Sequence, residues 1–215
     1  LVITSRKIDS CESVALEIEA IGRRALPYGC HVGKWDEIEG LVDAAYDRYG
    51  KIDILINNAG MSPLYDKLSN VTEELFDKGV GVNLKGPFRL MSLVGERMAE
   101  GDGGSIINIS STASLNPSPE AEPYGAAKSG LNALTRSFAF ALGPKVRVNA
   151  IAAGPFLTDI SKAWDMEAFE KRAQSTLALG RGGQPEEIVR AALYLAGPGG
   201  SFTTGTVIRV DGGTR

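Results

Sequence analysis

The stretch from Ile106 to Lys128 reads I-I-N-I-S-S-T-A-S-L-N-P-S-P-E-A-E-P-Y-G-A-A-K. It opens on a short apolar run, the mark of a buried strand, which the serine pair Ser110 and Ser111 closes. It ends with Tyr124 and Lys128, four residues apart on an expected helix. Four residues is just over one helical turn, so the phenol and the ammonium share a face. Strand, Pro-rich connection and helix in that order make one unit of an α/β fold. A serine, a tyrosine and a lysine gathered at the strand end and the helix start point to proton-transfer chemistry. Taken singly, a tyrosine and a lysine at this spacing are a weak signal, because many surface helices carry such a pair by chance.

Outward from this unit, strands and helices alternate along the whole chain. Leu1–Thr4 reads as a strand, and Asp9 or Ser10 can cap a helix whose apolar positions Val14, Ile18 and Ile21 follow a helical period up to Gly22. Residues 26–32 read as a second strand. A helix over 35–49 places Ile38, Leu41, Val42, Ala45 and Tyr49 on one stripe, with Gly50 as its stop. Residues 52–56 form a third strand running into N-N-A-G. A long helix capped within 69–72 passes Asn83 and reaches about Met98, and Gly79, Gly81 and Gly86 inside it suggest close packing or a bend. Strands over 105–110, 146–152 and 206–210, and helices over 124–142, 165–177 and 185–196, complete the pattern. Most strand runs are continuously apolar, as in strands buried on both faces. The expected fold is therefore α/β, a doubly wound parallel sheet in one domain spanning 1–215. Ligands of such sheets bind beyond the carboxyl ends of the strands. Ser5, Arg6, His31, Asn57 to Gly60, Ser110, Ser111, Gly154 and Pro155 all fall there.

Composition narrows the classes of function. Of the 215 residues, 43% are hydrophobic and 23% charged, ordinary for a soluble globular chain. A net charge of −3 argues against a nucleic-acid binder, and no apolar run is long enough to span a bilayer. Nothing at the start resembles a secretory leader. Two cysteines, Cys11 and Cys30, make neither a disulfide framework nor a metal spacing and suit a reducing cytoplasm. A single histidine, His31, argues against a histidine metal site or a Ser-His-Asp triad.

Several further motifs stand in order with Tyr124 and Lys128: N-N-A-G (57–60), Asn83 in V-N-L-K-G-P-F, I-I-N-I-S-S (106–111), V-R-V-N-A-I-A-A-G-P-F-L-T (146–158) and G-T-V-I-R-V-D-G-G (205–213). Together they resemble the short-chain dehydrogenase/reductase family over essentially the whole chain. The resemblance implies a Rossmann-like fold, a nicotinamide cofactor, and oxidation or reduction of an alcohol/carbonyl pair on a small molecule. It also implies a homo-oligomer, a dimer or tetramer, built on the long helices and the last strand.

The same resemblance assigns roles. Tyr124 becomes the general acid/base, and an adjacent ammonium, Lys128, would lower a phenol pKa that is otherwise near 10. Lys128 would also hold the nicotinamide ribose. Ser111 orients the substrate oxygen, Ser110 is structural, and Asn83 joins a proton relay, although a packing amide is the plainer reading of Asn83. Asn58, Ala59 and Gly60 would pass along the adenine ribose, while Asn57 would bridge strands. Gly154, Pro155, Phe156 and Thr158 match the segment that holds the carboxamide, with Ala153 where relatives often have proline. His31 and Val32 stand where relatives contact adenine. There a neutral imidazole could accept a hydrogen bond, or His31 is merely a loop residue. Ser5 and Arg6, with Lys7, follow the first strand where NAD-preferring members carry an acid, so NADP is the expected cofactor, with NAD as the alternative. A solvated Arg6–Lys7 pair is the bland reading.

The family's glycine-rich turn, T-G-x-x-x-G-x-G, and the strand before it are absent. Neither G-D-G-G (101–104), G-R-G-G (180–183) nor G-P-G-G (197–200) lies between a strand and a helix. Either the sequence is a piece of a longer chain, or the protein is a natural variant without the pyrophosphate cradle. Without that strand the sheet would expose an apolar edge. Competing functions are an epimerase or dehydratase using the same pair, an NAD(H)-dependent sugar-acid dehydrogenase, and a non-catalytic scaffold. The loop 114–123, acidic at Glu120 and Glu122, and the region 159–179 are the expected walls of the substrate pocket.

Overall fold

The computed structural model describes residues 1–117, 119, 121–158, 161–162 and 164–214. The expected Glu120 and Asp159 of the pocket walls lie outside the described residues. The longest strands, β4 (Gly104–Ser111) and β5 (Val146–Ala153), pair in parallel along their whole length. On either side of them lie β3 (Ile54–Asn57) and β6 (Val207–Val210), giving a parallel sheet of order β3-β4-β5-β6. The other two strands, β1 (Val2–Ser5) and β2 (Leu26–Gly29), form a separate parallel pair.

Side chains alternate across β4 and β5, and that alternation builds two cores. Ile106 and Val148 enter one face with Ile38, Leu41 and Val42 of α2 (Trp35–Tyr49), Leu90, Met91 and Val94 of α4 (Gly86–Glu100), and Leu131 of α5 (Glu122–Ala141). Ile107 and Ile151 point the other way, onto Leu195 of α7 (Pro185–Ala196). Helices on both faces are what the continuously apolar runs require, and all the pairings are parallel as expected. Continuous burial does not extend to β3, where Ile54 and Ile56 are 46% and 47% exposed.

Local boundaries differ from the expectation in instructive ways. The helix α1 (Ile8–Ala20) starts before Asp9, and Lys7 at its N-cap makes no side-chain cap. Its buried positions are Cys11 and Ala15, while Val14 and Ile21 are exposed. It packs mainly on β1 and β2, so a narrow stripe of small residues suffices. The second strand stops at Gly29, leaving His31 and Val32 in the turn beyond it.

The long helix through Asn83 is not continuous. It is α3 (Glu73–Val80), a π-helical turn (Gly81–Lys85) and α4. Here its odd glycines find their reasons. A Cβ on Gly86 would sit 2.2 Å from the Val32 carbonyl oxygen, and one on Gly81 3.4 Å from that of Gly33. Both let the helix press on the β2–α2 turn. A Cβ on Gly79 would meet nothing within 4 Å, so no close approach explains that glycine. The helix α6 (Met166–Thr176) closes a third, small cluster of Phe169, Ala173 and Leu177 with Leu157 and Trp164.

Candidate active site

Strand register brings the site together. Asn57 pairs with Asn108 and Ser111 with Ala153, so segments 57–60, 109–111 and 153–155 leave the sheet side by side. The buried Asn57 amide donates to Asn108 Oδ1 at 2.8 Å, and Asn108 donates to Thr135 Oγ1 at 2.9 Å. Asn57 therefore bridges strands, and Asn108 and Thr135, which the sequence did not single out, extend the bridge into α5.

Ser111 is the last residue of β4 and caps the turn that follows it. Its Oγ accepts from Ala113 N at 3.2 Å, and its hydroxyl favours the ionised form of the Tyr124 phenol. Ser110 points inward, to the Ser114 hydroxyl at 3.2 Å and the Lys128 carbonyl at 3.4 Å. Ser114, also unsignalled in sequence, is the hub of this turn: it donates to the Ser111 carbonyl at 2.5 Å and accepts from Asn132 Nδ2 at 2.8 Å. The helix α5 begins two residues before Tyr124, earlier than its apolar period suggests.

Lys128 is 3% exposed, and its ammonium donates to the Ile109 carbonyl at 2.7 Å. Burial pushes its pKa from 10.5 down to about 8. Its Nζ stands 5.8 Å from the centre of the Tyr124 ring. Burial raises the Tyr124 phenol, and the Ser111 hydroxyl pulls more weakly the other way. The lowered phenol expected from Lys128 is thus not found in this arrangement, because desolvation outweighs an ammonium turned toward a carbonyl.

Asn83 is fully buried in the π-helical turn. Its amide donates to Met61 O at 2.8 Å and Gly79 O at 2.9 Å, and its Oδ1 accepts from Met61 N at 3.2 Å. It is a packing amide in these contacts, yet the Gly60 backbone brings it close to Lys128. A Cβ on Gly60 would lie 3.2 Å from Asn83 Oδ1 and 3.5 Å from Lys128 Nζ. The bare backbone at Gly60 thus packs closely on both, with Asn58 and Ala59 exposed beside it.

The remaining expected residues lie at or beyond the ends of β1, β2 and β5. Gly154 N donates to Val210 O at 2.9 Å, and Gly183 N donates to Pro155 O at 3.0 Å. The Phe156 ring lies against Gly183, and Thr158 is exposed. Ser5 and Arg6 are exposed beyond β1, where Ser5 Oγ accepts from Lys7 N at 3.3 Å. His31 differs from expectation: its Nδ1 accepts from Gly33 N at 3.1 Å, which puts the proton on Nε2. The imidazole edge left for a ligand is therefore a donor, where the sequence reading had an acceptor.

These residues suit a nicotinamide dinucleotide. Lys128 has N–H groups beyond the one given to Ile109, the backbone of 58–60 is exposed past the end of β3, and the β1 end carries two exposed cations. Among the described residues, no glycine-rich turn joins a strand to a helix.

The family model described as enoyl-(acyl carrier protein) reductase matches residues 1–215. Dehydrogenase/reductase SDR family member 4 of Pongo abelii is 35% identical over 216 residues, covering 100% of this chain and 78% of the relative. The chain belongs to the short-chain dehydrogenase/reductase family. That makes it an NAD(P)-dependent oxidoreductase by family. Another short-chain dehydrogenase/reductase relative, the 3-oxoacyl-(acyl-carrier-protein) reductase of Thermotoga maritima, is 36% identical over 206 residues, 95% of this chain and 83% of its own. A 7α-hydroxysteroid dehydrogenase complexed with NADH and 7-oxo glycochenodeoxycholic acid superposes with a TM-score of 0.93 at 33% identity, covering 99% of this chain and 83% of that one. A gluconate 5-dehydrogenase from Burkholderia cenocepacia in complex with NADP and tartrate gives 0.92 at 30% identity, covering 98% and 83%. The Rossmann-like fold expected for a short-chain dehydrogenase/reductase is the one found.

Proposed function

We propose that this protein reduces a carbonyl group on a small molecule, or oxidises the matching alcohol, with NADP(H), and that Tyr124 is its acid/base. The observation that carries this reading is a nearly buried Lys128, its pKa down to about 8, beside a Tyr124 phenol raised by burial. A surface Tyr–Lys pair would have neither.

The nicotinamide, when bound, supplies or takes the hydride. The chain's own groups manage the proton and the charge. The Ser111 hydroxyl donates to the substrate oxygen and holds it near the phenol. Tyr124 gives its proton to that oxygen as negative charge develops there. Burial keeps the phenol protonated at neutral pH, which suits a general acid in the reductive direction. The Lys128 ammonium, still charged below pH about 8, stabilises the phenolate left behind. Reprotonation runs past Lys128 and the Asn83 region toward solvent.

For the cofactor, Asn58, Ala59 and Gly60 would lie along the adenine ribose, and Lys128 would hold the nicotinamide ribose. Gly154, Pro155, Phe156 and Thr158 would take the carboxamide, and His31 and Val32 the adenine. Arg6, exposed beside Ser5 and Lys7, favours the 2′-phosphate of NADP. Exposed apolar side chains support a homo-oligomer: Phe140 on α5 is 90% exposed and Leu193 on α7 65%. Light scattering reads that directly, and a monomer at working concentration rejects it.

The deciding experiment is titration with NADPH and NADH by nicotinamide fluorescence, followed by turnover with carbonyl compounds. Binding of neither cofactor sinks the oxidoreductase reading in favour of a scaffold. Replacing Tyr124 with phenylalanine should abolish turnover and spare binding; an active Y124F rejects the acid/base role.

A further inference from the structure

The helix that carries Tyr124 and Lys128 does not cap itself. Its N-cap residue is Ala121, which has no side-chain acceptor, and no side chain caps from that position. Pro123 in the first turn has no N–H to satisfy. The main-chain N–H of Glu122 instead donates to the Tyr65 hydroxyl at 3.0 Å, across 57 residues of sequence. Tyr65 donates its own O–H back to the Glu122 carboxylate. The pair is reciprocal, like a capping box, but one half comes from another segment.

That segment is tied at its other end to the candidate site. Met61, four residues before Tyr65, holds Asn83 through both its N–H and its carbonyl. On the opposite flank, Gly125 brings the first turn of α5 so close to the 112–114 turn that a Cβ would sit 3.0 Å from the Ala113 carbonyl oxygen. Tyr124 is thus gripped between the turn that presents Ser111 and the segment that ends in Tyr65.

We propose that Tyr65 is a positioning residue: it caps the catalytic helix from the loop after β3 and thereby sets the placement of the Tyr124 phenol. This rests on the reading of Tyr124 as the acid/base. The cap couples loop and helix. When the 61–65 segment moves away, the first turn of α5 loses its acceptor and Tyr124 loosens toward water.

The test needs no substrate for its first readout. Ultraviolet difference titration of Y65F against Y65F/Y124F isolates the Tyr124 phenol, and wild type against Y124F gives the reference. The Y65F midpoint should fall toward the ordinary tyrosine value as burial loosens. With a carbonyl substrate from a panel, kcat should fall about fivefold, the size of a lost helix cap, while NADPH affinity holds. E122Q keeps the main-chain donor and a carbonyl acceptor and should stay within about twofold of wild type. Y65F/A121D, which installs a local cap, should recover most of the loss. An unmoved midpoint, with or without lower thermal stability, overturns the proposal and leaves Tyr65 a structural tie. A moved midpoint in a protein that reduces no carbonyl upholds the cap and rejects the acid/base reading instead.

Discussion

The Lys128 ammonium donates to the Ile109 carbonyl at 2.7 Å while standing 5.8 Å from the centre of the Tyr124 ring. A charge is thus held in a nearly dry place by one strand carbonyl, close to the Tyr124 ring.

The first prediction follows from that burial. Lys128 has a pKa of about 8 when folded and 10.5 as an unburied lysine. Between these values the unfolded chain binds more protons, so stability rises with pH through the window. The full effect is on the order of 3 kcal/mol. Cys30 works the other way only above its ordinary 9.0, since burial lifts it to about 11. Urea unfolding between pH 8 and 9 should therefore show wild type gaining stability relative to K128M. Parallel pH curves for the two proteins would mean that Lys128 keeps its proton through this window when buried, with no lowering of its pKa.

Arg6 should discriminate between the two dinucleotides. R6A should weaken NADPH binding by about tenfold or more, the loss of a charge-assisted hydrogen bond, and hardly touch NADH. Fluorescence titration of both measures it, and equal losses reject the preference for NADP.

The Asn57–Asn108–Thr135 bridge should show in stability and be graded. N108A removes two buried hydrogen bonds to oxygen and a weaker one to the Met91 sulfur, and strands Asn57 Nδ2, so it should cost roughly 2–3 kcal/mol. N57A removes one and should cost less. Urea midpoints in the reverse order would contradict the bridge.

Two glycines of one helical run should answer oppositely to alanine. G79A meets nothing within 4 Å and should stabilise by up to about 1 kcal/mol through helix propensity. G86A drives a methyl to 2.2 Å from the Val32 carbonyl and should destabilise, with cofactor affinity falling as that turn shifts. Thermal melts of the pair decide it.

Much of this was legible in the sequence for a physical reason. Strands buried on both faces read as unbroken apolar runs, and Ile106 with Ile107 serves two cores at once. Ser111, Tyr124 and Lys128 lie within one strand-to-helix unit, so local spacing alone brings them together. What stayed hidden depends on partners far along the chain. Tyr65 reaches Glu122, and Asn108 reaches Thr135, with no periodic signal to announce either. The exposed face of α1 misled because small residues such as Cys11 and Ala15 fill its narrow contact, while larger apolar ones sit outside. The donor edge of His31 was unreadable because it is set by the N–H of Gly33.

The π-helical turn at Gly81–Lys85 has one more implication. A wider turn takes up about one extra residue, and each residue advances a helix by about 100°. Everything C-terminal to Asn83 is therefore out of phase with α3. Leu90, Met91, Val94 and Met98 reach the core only because of that offset. Deleting a single residue here, Val82 for instance, would rotate this whole stripe away from α2. The widened turn thus acts as a rotational index for the core, so the helix cannot be straightened at Asn83 without remaking the packing beyond it.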